Sequence, residues 1–144
     1  MMTAELWLTQ LRDNGYRLTE ARKAVVETVA DTRHALTPVE VFDRARTASP
    51  GLGLVTVYRT LEKLEELGLI QRVHQTHGCQ AFISCGNGHE HLLLCTKCGT
   101  AVRFSGDKLE PLISAISRQT GYRVEEHWLQ LFGVCKNCRE KSVK

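Results

Sequence analysis

The stretch Gly51–Ile70, GLGLVTVYRTLEKLEELGLI, changes its hydrophobic period once, and that change decides the fold of the first half. From about Val55 to Leu67 the apolar residues Val57, Leu61, Leu64 and Leu67 recur at helical spacing. Gly68 stops that helix. Beyond it the period drops to that of strands, Ile70–His74 and Gln80–Ser84, with a turn around Gly78.

Working backwards, Ala4–Asp13 reads as a short amphipathic helix, with Leu6, Leu8 and Leu11 available for a core and Gly15 ending it. Thr19 caps a second helix to about Ala30, carrying Ala21, Val25, Val26 and Val29. Thr37 caps a third, with Pro38 at its first position and Val41, Phe42 and Ala45 inward. Ser49–Gly53 is a turn. Helices followed by a two-stranded hairpin form the winged helix-turn-helix pattern. A helical lobe with a hairpin and no DNA is the competing reading.

Cys85-Gly86-Asn87-Gly88 marks a composition shift. The expected division is a winged-helix DNA-binding domain over 1–85, a hinge at 86–88 and a zinc-binding domain over 89–144. The second part reads as strands His91–Cys95 and Thr100–Phe104, a helix Lys108–Gln119, and a long strand from Tyr122 to Val134. On that strand Trp128 and Phe132 are large apolar groups on a polar face. They suit a dimer seam or a packed helix equally. The terminal Arg139–Lys144 is a basic, solvated tail.

Two Cys-x-x-Cys pairs, Cys95–Cys98 and Cys135–Cys138, fix the chemistry of the second half. Each spacing lets a tight knuckle aim two sulfurs at one point, and two knuckles supply the tetrahedral, closed set of a structural zinc site. A closed site holds structure and leaves no position for catalysis. A redox Cys-x-x-Cys needs one pair and not two, and disulfides suit an oxidising compartment.

The chain has 144 residues, 42% hydrophobic and 24% charged, an ordinary globular composition. Its N-terminus does not resemble a signal peptide, and no apolar stretch approaches a membrane span. A cytoplasmic location is therefore expected. The net charge is +3 and the pI about 8.6. Residues 1–85 carry ten Lys/Arg and ten Asp/Glu, so any affinity for nucleic acid must come from a local basic face and from two copies of it. Recognition helices touch DNA near their N-termini, which here offers Thr56, Tyr58 and Arg59. Arg59 can fork onto guanine or clamp a phosphate, and Tyr58 can press on a thymine methyl. Arg17, Arg22 and Lys23 could add backbone contacts.

The segments GYRLTEARKAVVE, GLGLVTVYRTLEKLEELGLI, HEHLLLCTKCG and HWLQLFGVCKNC together resemble the ferric uptake regulator family, nearly along the whole chain. The resemblance implies an α+β architecture: an N-terminal winged helix-turn-helix domain plus a small C-terminal α/β dimerisation domain with a four-cysteine zinc site. It implies a homodimer on a double-stranded DNA operator that represses metal-homeostasis genes, and no enzyme. It places an interdomain metal site on His89, His91, Glu110 and His127. His89 and His91 are two apart on a strand, so both leave one face, and three imidazoles with a carboxylate suit zinc or iron.

A further sensory site is expected around Cys85, with Glu90 and with His74 or Cys79. Glu90 falls where the family usually has a histidine, Leu92 replaces another, and Gln71 stands where zinc-sensing members often have aspartate. A thiolate there favours Zn2+ over Fe2+, so a zinc uptake regulator is expected, with iron sensing as the alternative. Metal bound across the hinge would set the spacing of two recognition helices. From other classes, a zinc hydrolase would need an open zinc position and a general base, and a thiol oxidoreductase a single reactive pair. A zinc-ribbon interaction module without DNA binding is the remaining alternative.

Overall fold

The computed structural model describes residues 4–74, 80–85, 90–105, 107–127 and 129–141. The chain divides into two compact units, Met1–Cys85 and Gly86–Lys144.

The first unit holds four helices and a hairpin: α1 (Ala4–Asp13), α2 (Glu20–Ala30), α3 (Pro38–Ala45), α4 (Leu54–Glu66), β1 (Ile70–His74) and β2 (Gln80–Ser84). Local chemistry sets the ends. The Thr19 side chain accepts from the Arg22 N–H at the start of α2. Thr37 and Glu40 make a reciprocal capping box on α3, at 3.2 Å and 2.8 Å. After α1 and α4 the chain turns through Gly15 (φ 84) and Gly68 (φ 73), the left-handed region glycine enters without a Cβ clash. There the Tyr16 N–H reaches the Leu11 carbonyl at 3.0 Å, and the Leu69 N–H the Leu64 carbonyl at 2.9 Å, which closes both helices.

The helices bury one face each in a core that includes Trp7, Leu11, Val25, Val29, Val41, Val57, Leu61 and Leu64. On α1 the buried residues are Trp7 and Leu11. Leu6, expected inward, is exposed, because it lies about 100° around the helix from Trp7. The hairpin is antiparallel, from Ile70↔Ser84 to His74↔Gln80. Leu36 adds a single antiparallel bridge to Phe82, with bonds of 2.9 Å and 2.8 Å, so the entry to α3 is stitched to the hairpin.

The second unit is a three-stranded sheet of order β4-β3-β5, made of β3 (Glu90–Cys95), β4 (Ala101–Ser105) and β5 (Gln130–Gly133), with helices α5 (Glu110–Thr120) and α6 (Lys136–Lys141). β4 runs antiparallel to β3, and β5 runs parallel to it, from Leu92↔Gln130 to Cys95↔Gly133. A 3-10 turn, Asp107–Leu109, precedes α5, and Pro111 sits in the first turn of α5, where its missing N–H costs nothing.

Among the described residues, the strand expected from Tyr122 to Val134 is realised only over Gln130–Gly133. Strand pattern is not enough: a strand needs a neighbouring backbone, and β3 offers one only opposite those four residues. Cys138 and the first part of the supposed basic tail lie in α6. Among the described residues of this unit, Leu92, Leu94, Cys95 and His91 are buried and α5 buries none.

Candidate metal centre and nucleic-acid interface

The parallel pairing of β5 with β3 brings both cysteine knuckles to one end of the sheet. Cys95 closes β3 opposite Gly133, and the Thr96 N–H bonds the Gly133 carbonyl at 2.8 Å. Cys135 follows two residues on, and its own N–H points at Cys95 Sγ, 3.3 Å away. Cys98 Sγ lies 3.7 Å from Cys135 Sγ and 3.1 Å from Thr100 Oγ1. The sulfurs of Cys95, Cys98, Cys135 and Cys138 all lie within 4.8 Å of one another. This is the one such convergence of three or more metal-ligating side chains among the described residues.

The cluster's own electrostatics favour a cation. The Cys135 N–H, above all, lowers the Cys95 thiol to about 6. The Thr100 hydroxyl, first among several donors, lowers Cys98. Cys138 is pushed up to about 12, chiefly by its hydrogen bond with Cys135 and then by burial. A divalent ion among the sulfurs removes the reason for Cys138 to hold its proton. The donor set is therefore compatible with zinc, which takes four thiolates at ~2.3 Å.

On β3, His91, Leu93 and Cys95 share one face by alternation. His91 is 5% exposed, and its Nε2 finds no hydrogen-bond partner among the described residues. Its ring centroid lies 5.2 Å from that of His127 and 5.6 Å from that of Phe104. An orphaned buried imidazole nitrogen costs about 1–3 kcal/mol, so it calls for a partner. Glu110 is exposed at the first position of α5. His89 lies outside the described residues.

Of the other sensory candidates, Cys85 is exposed in the first unit, its backbone N–H bonded to the Leu69 carbonyl at 2.9 Å. His74 is exposed at the end of β1. Glu90 begins β3 with its carboxylate 3.7 Å from the Arg103 guanidinium. Cys79 and Trp128 lie outside the described residues.

In the first unit α4 buries Val57, Thr60, Leu61 and Leu64 and turns Tyr58 and Arg59 outward. Thr56 is half-buried, and Arg17 is exposed with its carbonyl accepting from Arg22 Nη1 at 2.7 Å. Sequence reasoning missed Arg72. Its Nε bonds both Glu65 oxygens, at 2.9 Å and 3.0 Å, its Nη1 bonds Gln80, and its guanidinium stacks over Phe82 at 5.3 Å. Arg72 thus ties the end of α4 to both hairpin strands. The available signal was the alternation of β1, which turns Arg72 to the face opposite Val73.

A winged-helix unit joined to a small sheet with four convergent thiols defines a class, the metal-binding transcription regulators. The chain belongs to the ferric uptake regulator family, whose model matches residues 13–132. The ferric uptake regulation protein of Neisseria meningitidis serogroup A is 31% identical over 141 residues, 95% of this chain and 96% of its own. A zinc-bound manganese uptake regulator is 28% identical, with TM-score 0.72 over 93% of this chain and 99% of its own. A zinc uptake regulator complexed with zinc and DNA shares the fold, at 21% identity and TM-score 0.69 over 100% of both chains. The chain is a metal-responsive transcription regulator and not an enzyme; regulators of this family bind DNA and work as dimers. Among the described residues no helix is long and apolar enough to cross a membrane.

Proposed function

We propose that this chain is a zinc-responsive repressor of metal-homeostasis genes that binds operator DNA as a cytoplasmic homodimer. The observation that carries the reading is the outward face of α4, whose N-terminal half presents Tyr58 and Arg59 beside a hairpin. With Thr56 and Arg17 these residues read and clamp the duplex. Cys95, Cys98, Cys135 and Cys138 hold a structural zinc, which cross-links the end of β3 to the start of α6. His91 and His127, with His89 and Glu110, hold a second, regulatory ion. The unpartnered Nε2 of His91 supports that assignment. Cys85 and Glu90, with His74 or Cys79, remain candidates for a third ion, and residues 86–88 for the hinge.

The dimer surface draws support from apolar side chains that the second unit leaves exposed. Val102, Leu93 and Leu131 lie in one row across β4, β3 and β5, and all three are exposed, as are Leu112, Ile116 and Phe132. Metal binding raises the population of the DNA-competent form, with a coupling of typically ~1–3 kcal/mol. Iron is the second reading for the sensed metal, favoured by the ferric uptake regulation protein at 31% identity. The exposed Cys85 thiol, a soft ligand, favours zinc.

The test is a gel shift on a duplex selected by the protein from random sequence, after exchangeable metal has been stripped and the four-cysteine zinc retained. Added zinc is expected to restore salt-dependent binding at lower free concentration than ferrous iron. Equal binding with and without metal rejects metal control, and restoration by iron alone moves the assignment to an iron regulator.

A further inference from the structure

The buried stripe of α4 is Val57, Thr60, Leu61 and Leu64. At about 100° per residue, Val55 lies about 170° around the helix from the middle of that stripe, almost directly opposite the core. Arg59 and Glu62 flank it on the same outward face. Val55 is 64% exposed in the first turn, beside Leu54 at 40% and Tyr58 at 47%. A β-branched apolar residue there gains nothing from folding: it touches no core and has below-average helix propensity. Gly53, at the N-cap, has no side chain and Val57 turns into the core, so the half-buried Thr56 is the one polar side chain of the first turn and Val55 stands at its outward centre.

We propose that Val55 is a specificity-determining residue that reads thymine in the major groove through the base's C5 methyl group. This rests on the reading of α4 as the DNA-recognition helix. The first turn is the part of such a helix that enters deepest, and the centre of its outward face meets the base edges. Val55 offers only methyl groups. Of the four base edges in the major groove, only thymine presents a methyl; the others present donors or acceptors, which an apolar side chain desolvates and cannot pair. Arg59, one turn on, supplies the polar contact. The pair then reads a step of one thymine and one neighbouring base or phosphate in each half-site.

The experiment removes only the methyl. Each thymine of the selected duplex is replaced in turn by deoxyuridine, and affinity of the zinc-loaded full chain is measured for the unaltered protein, Val55→Ala and Arg59→Ala. For the unaltered protein, one deoxyuridine position per half-site is expected to weaken binding about three- to fourfold, and about tenfold when both half-sites carry it, the loss of one buried methyl each. Val55→Ala is expected to bind the thymine duplex more weakly and to be indifferent to deoxyuridine at that position. Arg59→Ala is expected to bind weakly yet keep the full deoxyuridine effect there. Val55→Ala changes an exposed helical residue to a better helix former, so it folds; a thermal melt checks this.

The proposal is overturned if no deoxyuridine position matters, or if the sensitivity persists undiminished in Val55→Ala, which would give the methyl contact to Tyr58. A protein that binds no duplex with either zinc or ferrous iron present would overturn the recognition-helix reading as well, and that result is distinct from binding that ignores the methyl.

Discussion

Stripping the metal from the four-cysteine cluster is expected to unfold the second unit and leave the first intact. Among the described residues, the apolar side chains buried in the second unit's sheet are Leu92 and Leu94, with the Cys95 thiol. Fully burying a leucine is worth about 1.5–3 kcal/mol, so the two supply about 3–6 kcal/mol. Ordering each strand residue costs ~1–2 kcal/mol of backbone entropy, and the sheet has three strands to order. A structural zinc contributes about 10–16 kcal/mol in small zinc-folded peptides, more than both leucines together. The first unit differs, because its core runs continuously from Trp7 to Phe82 through all four helices.

Amide hydrogen exchange is the assay, under reducing conditions, before and after a chelator has removed all zinc as verified by metal analysis. The β3 amides of Leu92–Cys95 are expected to lose their protection, while the α2 amides of Val25 and Val26 keep theirs. Undiminished protection of β3 in verified metal-free protein would refute the reasoning, since the sheet would then stand on its leucines alone.

Zinc affinity is expected to rise at least tenfold from pH 7 to pH 8. Cys138, with its thiol held up near 12, must surrender a proton to the metal throughout this range, whereas Cys95, lowered to about 6, has already lost most of its own. Competition against a chelator of known pH behaviour measures this, and an affinity flat with pH would contradict it. Thr37→Ala removes half of the capping box on α3 and is expected to cost about 0.5–2 kcal/mol, read as a lower midpoint in urea with an unchanged slope. Leu93→Asp puts a charge at the middle of the exposed Val102–Leu93–Leu131 row and is expected to give monomers by sedimentation while zinc content stays at the unaltered level.

The helices of the first unit were legible because their signals are local. Thr19, Thr37 and the glycines at 15 and 68 each act within a few residues, and each is found in its expected role, with Glu40 completing the box on Thr37. The stripe of α4 was equally plain, since Val57, Leu61 and Leu64 obey one period. Trp7 was overlooked in favour of Leu6 because helical spacing gives a face only to within a residue, and which edge of it packs depends on α2 and the core.

The candidate site divides along the same line. The knuckle spacing of the cysteines named all four thiols, because two residues between ligands is a local geometric device. The long strand failed because its signal was local and the requirement for pairing was not. Alternation over Tyr122–Val134 describes a chain able to pair, and among the described residues pairing happens only at Gln130–Gly133. The closeness of His91 to His127 and the grip of Arg72 on Glu65 were likewise invisible in the linear order.

By itself, then, the sequence determined where the helices of the first unit begin and end, which strands form the hairpin, and which four sulfurs could share an ion, for these depend on torsions, caps and spacings within a few residues. Only the tertiary structure decided that β5 lies parallel to β3, that the two knuckles meet at one end of the sheet, and that His91 is buried with a nitrogen unspent. Those outcomes join residues more than thirty positions apart, and the pairing that brings them together is chosen by how whole strands and faces fit, which no short stretch of sequence encodes.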